Sequence, residues 1–283
     1  MKKLLFYYCY IPTDFYALAR SVKFVYNMHF KLLREYANIF DKVHIHFGID
    51  NPDDAELLEQ WKNIFEKIFE KDKLNFFIHK NDKVSRDTGI YRDYLIKDLT
   101  LYKDYLVFFA HSKGVGNVSV DYHLKLRDKF DIYEWIIALY YFNLNNFDKI
   151  EKILEEKISY GSMFLNLMNL DLPKGTYRRN IYGWIYSGSF QWININALLN
   201  FIKLNNINLD RLPNISQRYF SEDFLGTVFP ESMAGRYMNK NIENTLFFND
   251  YQDVETHIKY LYPDEWIDFL KFFDNILNYS NIQ

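Results

Sequence analysis

The stretch Tyr105-Leu-Val-Phe-Phe-Ala-His-Ser-Lys-Gly-Val-Gly-Asn117 joins an unbroken apolar run to a tip of imidazole, hydroxyl, ammonium and glycine. An apolar run of this length without alternation reads as a strand buried on both faces, the habit of parallel sheets. A buried strand that delivers polar groups at its carboxyl end is the usual layout of a ligand site in an open α/β sheet. Gly114 and Gly116 let backbone approach a ligand, and Lys113 offers a point charge suited to phosphate. The tip is not a Walker loop, which needs Gly-x-x-x-x-Gly-Lys-Ser/Thr, nor a Gly-x-Gly-x-x-Gly fingerprint. A plain strand-to-loop turn with a polar end remains the alternative.

Upstream the pattern repeats. Lys3 to Ile11 is apolar and β-prone, ended by Pro12, Thr13 and Asp14, and a helix to about Ala37 follows. Lys42 to Phe47 is a second strand, Asn51 to about Glu70 a helix with Pro52 in its first turn, and Leu74 to His79 a third strand. A polar stretch, Lys80 to Thr88, leads to a helix over Gly89 to Leu99. The order β-α-β-α-β-α-β predicts a parallel sheet with helices on both faces. His44 and His46 share a strand face and could begin a zinc site, but no third ligand is evident nearby.

Downstream, Asp121 to Phe142 and Phe147 to Glu156 read as helices interrupted at Asn143-Leu-Asn-Asn146, and Tyr160 to Met168 as strand-like. A loop over 169–183 carries Arg178 and Arg179. Trp184 to Ile193 alternates large apolar with small polar residues, a strand with a turn or bulge at Gly188. Ile195 to Leu204 is a helix, and Ser221 stands where an N-cap would, with Glu222 and Asp223 in the favourable first turn. A last helix, Asp264 to Tyr279, lines up Trp266, Phe269, Leu270, Phe273, Ile276 and Leu277 on one face, which reads as a core or dimer face rather than a membrane anchor.

The 283 residues suit one large α/β domain or two small ones. A net charge of −3 without a basic block argues against sequence-independent nucleic-acid binding, which rests on phosphate neutralisation. One cysteine, Cys9, excludes a disulfide framework and a thiolate metal site. The Met1-Lys-Lys start lacks a cleavage site, and no stretch reaches the roughly 18 apolar residues of a membrane span, so a cytoplasmic soluble protein is expected.

Three stretches together carry a resemblance. Phe108-Phe-Ala-His-Ser-Lys-Gly114, Trp184-Ile-Tyr-Ser-Gly-Ser-Phe-Gln-Trp192 and Arg218-Tyr-Phe-Ser-Glu-Asp-Phe-Leu225, in this order after the β-α units, resemble bacterial GT-A-type glycosyltransferases of capsule and lipopolysaccharide O-antigen synthesis. The likeness spans roughly residues 1–230. It implies an α/β, GT-A-like, Rossmann-type fold: a mostly parallel sheet flanked by helices, with a helical C-terminal part. Residues 1–120 would be the nucleotide-sugar-binding half, and 121–283 the acceptor half of one continuous domain.

The resemblance also implies roles. Tyr10, Pro12 and Thr13 would meet the base of a nucleotide-diphospho-sugar, and the segment Arg86 to Asp93, with Arg86, Arg92 and Asp93 foremost, its ribose or sugar. His111, Ser112, Lys113 and Gly114 would meet the diphosphate, with Lys113, Arg178 or Arg179 neutralising the leaving group. Asp223, ahead of Glu222, would be the base of an inverting transfer, although both acids also favour a helix N-terminus for its own sake. Trp184, Tyr186, Ser187 and Gly188 would face the acceptor glycan, with Trp192 in the core; core packing is the alternative for all these aromatics. The family's Asp-x-Asp is replaced by Ala110-His111-Ser112, so Mn²⁺ or Mg²⁺ dependence is open and no metal ligand is assigned. The expected partners are a nucleotide sugar and a glycan acceptor, lipid-linked if the protein works at the inner face of the membrane. A homodimer and peripheral membrane contact are both compatible. A non-catalytic carbohydrate- or nucleotide-binding subunit with a degenerate site is the alternative function. A nucleotidyltransferase is a third reading, but the strand ending at Ala110 offers it no acidic ligand.

Overall fold

The structure, a computed structural model, describes residues 1–12, 20–81, 86–112, 126–162, 164–166, 181–186, 188–211, 220–236 and 263–280. The first half alternates strictly: β1 (Lys2–Ile11), α1 (Arg20–Glu35), β2 (Lys42–Ile49), α2 (Ala55–Glu66), β3 (Leu74–Lys80), α3 (Arg86–Ile90) and β4 (Tyr105–His111). The second half supplies α4 (Leu126–Leu144), α5 (Phe147–Glu156), β5 (Ser159–Gly161), β6 (Phe164–Asn166), β7 (Trp184–Tyr186) and β8 (Gln191–Asn194). It closes with α6 (Ile195–Leu204), α7 (Phe220–Val228), β9 (Ala234–Arg236) and α8 (Pro263–Ser280).

Seven strands form one sheet in the order β3-β2-β1-β4-β8-β5-β9, so both halves of the chain share it. β1 pairs in parallel with β2 on one edge and β4 on the other, and β2 with β3. β8 runs antiparallel to β4 and to β5, and β5 is parallel to β9. A second, two-stranded sheet pairs β6 with β7.

Alternation along β1 distributes the core. Leu5, Tyr7, Cys9 and Ile11 face a cluster with Val25, Trp61, Tyr140 and Phe269, contributed by α1, α2, α4 and α8. Leu4, Phe6 and Tyr8 face a second cluster with Tyr91, Leu198 and Phe224, contributed by the 91–96 turn, α6 and α7. Helices on both faces of a mostly parallel sheet are the α/β architecture that the β-α alternation implied.

Several local expectations shift. Pro52 lies before α2, which is capped by Asp54 accepting from the Leu57 amide at 3.0 Å. The helix after β3 opens at Arg86 and widens from Tyr91 to Ile96 into a π-helical turn. α4 runs through Asn143 because that side chain donates to Leu139 O at 2.7 Å and to Ser162 Oγ at 2.8 Å; the break falls at Asn146, in the left-handed region at φ 57°. The stretch from Trp184 to Ile193 is two strands in different sheets, turned at Gly188 (φ 84°) and Ser189 (φ 59°).

The apolar stripe of α8 is buried within the chain. Phe269 stacks on Phe142 and meets Tyr141, while Lys31 Nζ of α1 donates to Asn275 O at 2.8 Å. That face therefore offers no ground for a dimer or a membrane anchor. Phe269→Ala should lower unfolding free energy by about 3–5 kcal/mol in urea titrations, whereas Leu270→Ala, exposed on the same helix, should change it by less than about 0.5 kcal/mol.

Candidate functional site

The strand order reverses between β1 and β4, and in open α/β sheets ligands bind outside the carboxyl ends of strands at such a switch point. Here the ends of β1 and β4 are tied together. Ser112 N donates to Tyr8 O at 3.0 Å, Tyr10 N donates to Ser112 Oγ at 3.2 Å, and Tyr26 OH donates to Tyr10 O at 2.7 Å. Ser112 thus extends the ladder and uses its hydroxyl on backbone, while the half-buried Tyr10 ring and buried Pro12 flank the crevice.

Beside them, the ends of β1, β2 and β3 build a polar corner. Gly48 lacks a Cβ where the Tyr8 ring lies against it, which lets Tyr8 OH reach Asn81 Oδ1 at 3.3 Å. Asn81 Nδ2 donates to Asp50 Oδ1 at 2.9 Å, and Asn81 N donates to Ile49 O at 2.8 Å. An ionised Asp50 can only accept, and its Oδ2 has no partner among the described residues.

On the other side the main chain of a single residue, Gly188, links β4 to α7. His111 Nε2 lies 3.2 Å from Gly188 O, and because a carbonyl only accepts, that nitrogen carries the proton. Gly188 N donates to Glu222 Oε1 at 2.9 Å. Ser189 Oγ and Ser221 Oγ are 2.8 Å apart, and Gln191 Nε2 donates to Ser221 O at 3.0 Å and Tyr91 OH at 3.1 Å. The first turn of α7, with Glu222 and Asp223, is thereby fixed to the turn, to β8 and to the π-helical segment. Asp223 is 4% exposed, while Glu222 is half-buried.

Several expected site residues fall elsewhere. Trp184 is fully buried with its indole N–H donated to Phe229 O at 2.9 Å, and Tyr186 donates its hydroxyl to Gly235 O at 2.6 Å. Burial pushes the Tyr186 hydroxyl above its ordinary range, with Ser159 opposing. Both rings are core, because β7 is covered by α7 and Phe229 and a buried indole or phenol must find an acceptor. Trp192 is core as expected, its indole on Asn143 O at 2.8 Å. Arg92 and Asp93 hold each other at 2.7 and 2.8 Å at the surface, and that pairing keeps the Asp93 carboxyl below its usual range. Ser221 is inside α7 rather than at its cap. Thr13, Lys113, Gly114, Arg178, Arg179 and Ser187 lie outside the described residues, as does the Arg86 side chain.

Asp50 and Asn81 were not legible as site residues, while Asp87 falls in the Arg86 to Asp93 segment expected near the ribose or sugar. Asp87 approaches His111 with Oδ2 3.8 Å from Nε2, delivered by the first turn of α3. Asp50 and Asn81 meet only because β2 and β3 are neighbours in register; the signal available in sequence was a polar residue directly after each strand.

The Asp-x-Asp place does not fit a metal. Ala110 is apolar and buried, Ser112 Oγ is used on Tyr10 N, and His111 Nε2 is used on Gly188 O. Nor do His44 and His46 build the zinc site: among the described residues no three His, Cys, Asp or Glu converge as a metal-holding group. Among the described residues no helix is long and apolar enough to cross a membrane.

No protein-family model and no curated protein matches the chain. Among solved structures it is similar to 4-diphosphocytidyl-2C-methyl-D-erythritol synthase from Anaerococcus prevotii DSM 20548, with TM-score 0.38 and 7% identity over 92% of this chain and 96% of that one.

The Gly188 linkage has a direct test. Glu222→Ala should cost about 1–3 kcal/mol of stability by leaving the Gly188 N–H unpaired, while Glu222→Gln, which still offers a carbonyl, should cost less than about 1 kcal/mol. Gly188→Ala should cost at least about 1–2 kcal/mol, since its φ of 84° is left-handed and a Cβ would lie 3.1 Å from Leu139 Cδ1. Urea unfolding of the three variants reads all of these.

Proposed function

We propose that the protein is a GT-A-type glycosyltransferase that moves a sugar from a nucleotide-diphospho-sugar to a glycan acceptor. The observation that carries this reading is the β1/β4 switch point, with the Asp50–Asn81 corner beside it at the ends of β2 and β3 and α7 with its two acids tied to the end of β4 through Gly188. A site at such a switch point suits an extended ligand, with the base at the corner and the reacting sugar toward α7. The acceptor-only Asp50 would take an N–H from the base edge, and the Tyr10 ring would flank it.

In this mechanism Asp223 removes the proton of the acceptor hydroxyl as that oxygen attacks the anomeric carbon. The bond from that carbon to the diphosphate oxygen breaks, and the nucleoside diphosphate leaves with the electron pair. Lys113, one residue beyond Ser112, meets the charge that develops there, with Arg178 or Arg179 as further cations. Glu222 and His111 act differently from a base and a ligand donor: both bond to the main chain of Gly188 and so position α7 relative to β4. No step is routed through a metal. The acceptor is proposed to be a bacterial surface polysaccharide of the capsule or O-antigen kind, reached from the cytoplasmic side of the membrane.

A binding subunit without catalysis is the second reading, favoured by the lack of a carboxylate at the end of β4. The two are separated by a thermal-shift panel of UDP, GDP, CMP and dTDP with their sugar conjugates, with and without Mn²⁺, followed by transfer assays. A ligand that binds only the folded state raises the melting temperature by mass action. The expected outcome is stabilisation by one nucleotide family independent of Mn²⁺. Asp223→Asn should then keep that shift while losing about 10²–10⁴-fold in turnover, and Glu222→Gln should retain turnover within about tenfold. Lys113→Ala should weaken the shift from the diphosphate. Turnover unaffected in Asp223→Asn would overturn the assignment of the base, and nucleotide binding without transfer to any glycan or to water would favour the binding subunit.

A further inference from the structure

His46 of β2 and His79 of β3 meet on the sheet face covered by the 91–102 segment, Nδ1 to Nε2 at 3.0 Å. Their rings stack with centroids 5.2 Å apart and planes within 7°. Two facing imidazole nitrogens share one proton, so one must donate and the other accept. His46 is sandwiched between Phe6 at 4.1 Å and Phe77 at 4.5 Å, and its Nε2 is buried without a partner. His44, on the same face, has a buried Nδ1 without a partner. His79 is half-buried, with the Tyr94 ring over it at 4.3 Å.

Among the described residues no carboxylate acts on these imidazoles to hold a positive charge. β1 contributes the Tyr8 phenol, and β2 contributes His44, Lys42 and, at its far end, Asp50. β3 contributes exposed Lys80, and the covering segment contributes Tyr94, Tyr102 and the Asp98 that acts on Tyr102. Burial depresses all three histidines, assisted by neighbouring cations and imidazoles at His44 and His46: His44 is pushed down to about 4, and no carboxylate opposes these shifts.

We propose that the His46–His79 pair is an acid-released latch on the carboxyl end of β3: a second proton on the pair breaks their shared hydrogen bond and frees His79 together with Asn81. The sign follows from linkage. The closed form prefers the neutral pair, and the open form takes up protons as an ordinary histidine does, below about pH 6.5. The latch is therefore at full strength above that pH and weakens progressively as pH falls. β3 is the edge strand of the sheet, so its end is held on one side only. Asn81 carries the bonds to Tyr8 and Asp50, so the corner opens with it. The consequence for ligand binding, weaker nucleotide affinity in acid, rests on the functional reading above.

Amide hydrogen exchange at Asn81, whose N–H is bonded to Ile49 O, reads the latch directly. Between about pH 7.5 and about pH 5.5 the protection factor of that amide should fall about tenfold in the wild type, one pK unit being a factor of ten. In His79→Asn, which keeps a polar side chain there but cannot become charged, it should change less than about twofold. Protection that holds in the wild type at the lower pH, or that falls equally in the variant, overturns the latch. As a second measurement, NMR titration of wild-type His79 should move together with the Asn81 resonances; a His79 titration that leaves them still also overturns it. Affinities for UDP, GDP, CMP and dTDP measured at both pH values separate the two proposals. A fall in the wild type but not in His79→Asn, for whichever of the four binds, supports the latch acting on the site. Binding of none of the four at either pH, with Asn81 protection still falling, counts against the nucleotide reading and for the latch.

Discussion

β1 is buried on both faces and hydrogen-bonded along both edges, and this constraint organises the remaining chain. A buried backbone must pair its amides and carbonyls, so β1 requires a neighbouring strand on each side. β2 arrives on one edge and β4 on the other, which means the chain crosses back over β1 between β3 and β4. That crossing leaves a crevice above the ends of β1 and β4. Burial of both faces also demands helices on each, which is why Leu5 and Tyr7 belong to one cluster while Leu4 and Phe6 belong to the other.

The crevice is held by backbone as much as by side chains. Tyr10, Ser112 and Gly188 each use main-chain groups to join elements distant in sequence. Gly188 is the clearest case, its N–H donating to Glu222 and its C=O accepting from His111 through the two peptide groups that flank its Cα. Both partners sit at the end of an element, so a small change at Gly188 reaches β4 and α7 together. The Asp50–Asn81 corner is built by the same means, from a residue that follows β2 and one that follows β3.

Strand periodicity and apolar runs made β1 to β4 legible, because a doubly buried strand leaves no alternative to a run such as Leu106 to Ala110. α6 was legible to the residue, with Asn194 capping it. Of the residues expected at the site, Tyr10, Pro12, His111, Ser112, Gly188, Glu222 and Asp223 lie at strand ends, at the turn or on α7. Trp184 and Tyr186 did not follow, since aromatic residues look alike in sequence whether they stack on a ligand or on Phe229. Arg92 and Asp93 pair with each other on the π-helical turn, a feature that no spacing in the sequence marks.

The sequence by itself determined the parallel three-layer architecture and the strand whose end bears polar chemistry, because hydrophobic periodicity is a local record of burial. Only the tertiary structure decided that Asp87 approaches His111, that Asn81 meets Asp50, that His46 meets His79, and that Glu222 is held by a backbone amide. Strand order and register bring those groups within hydrogen-bond reach or close to it, and neither is written in any single stretch of the chain.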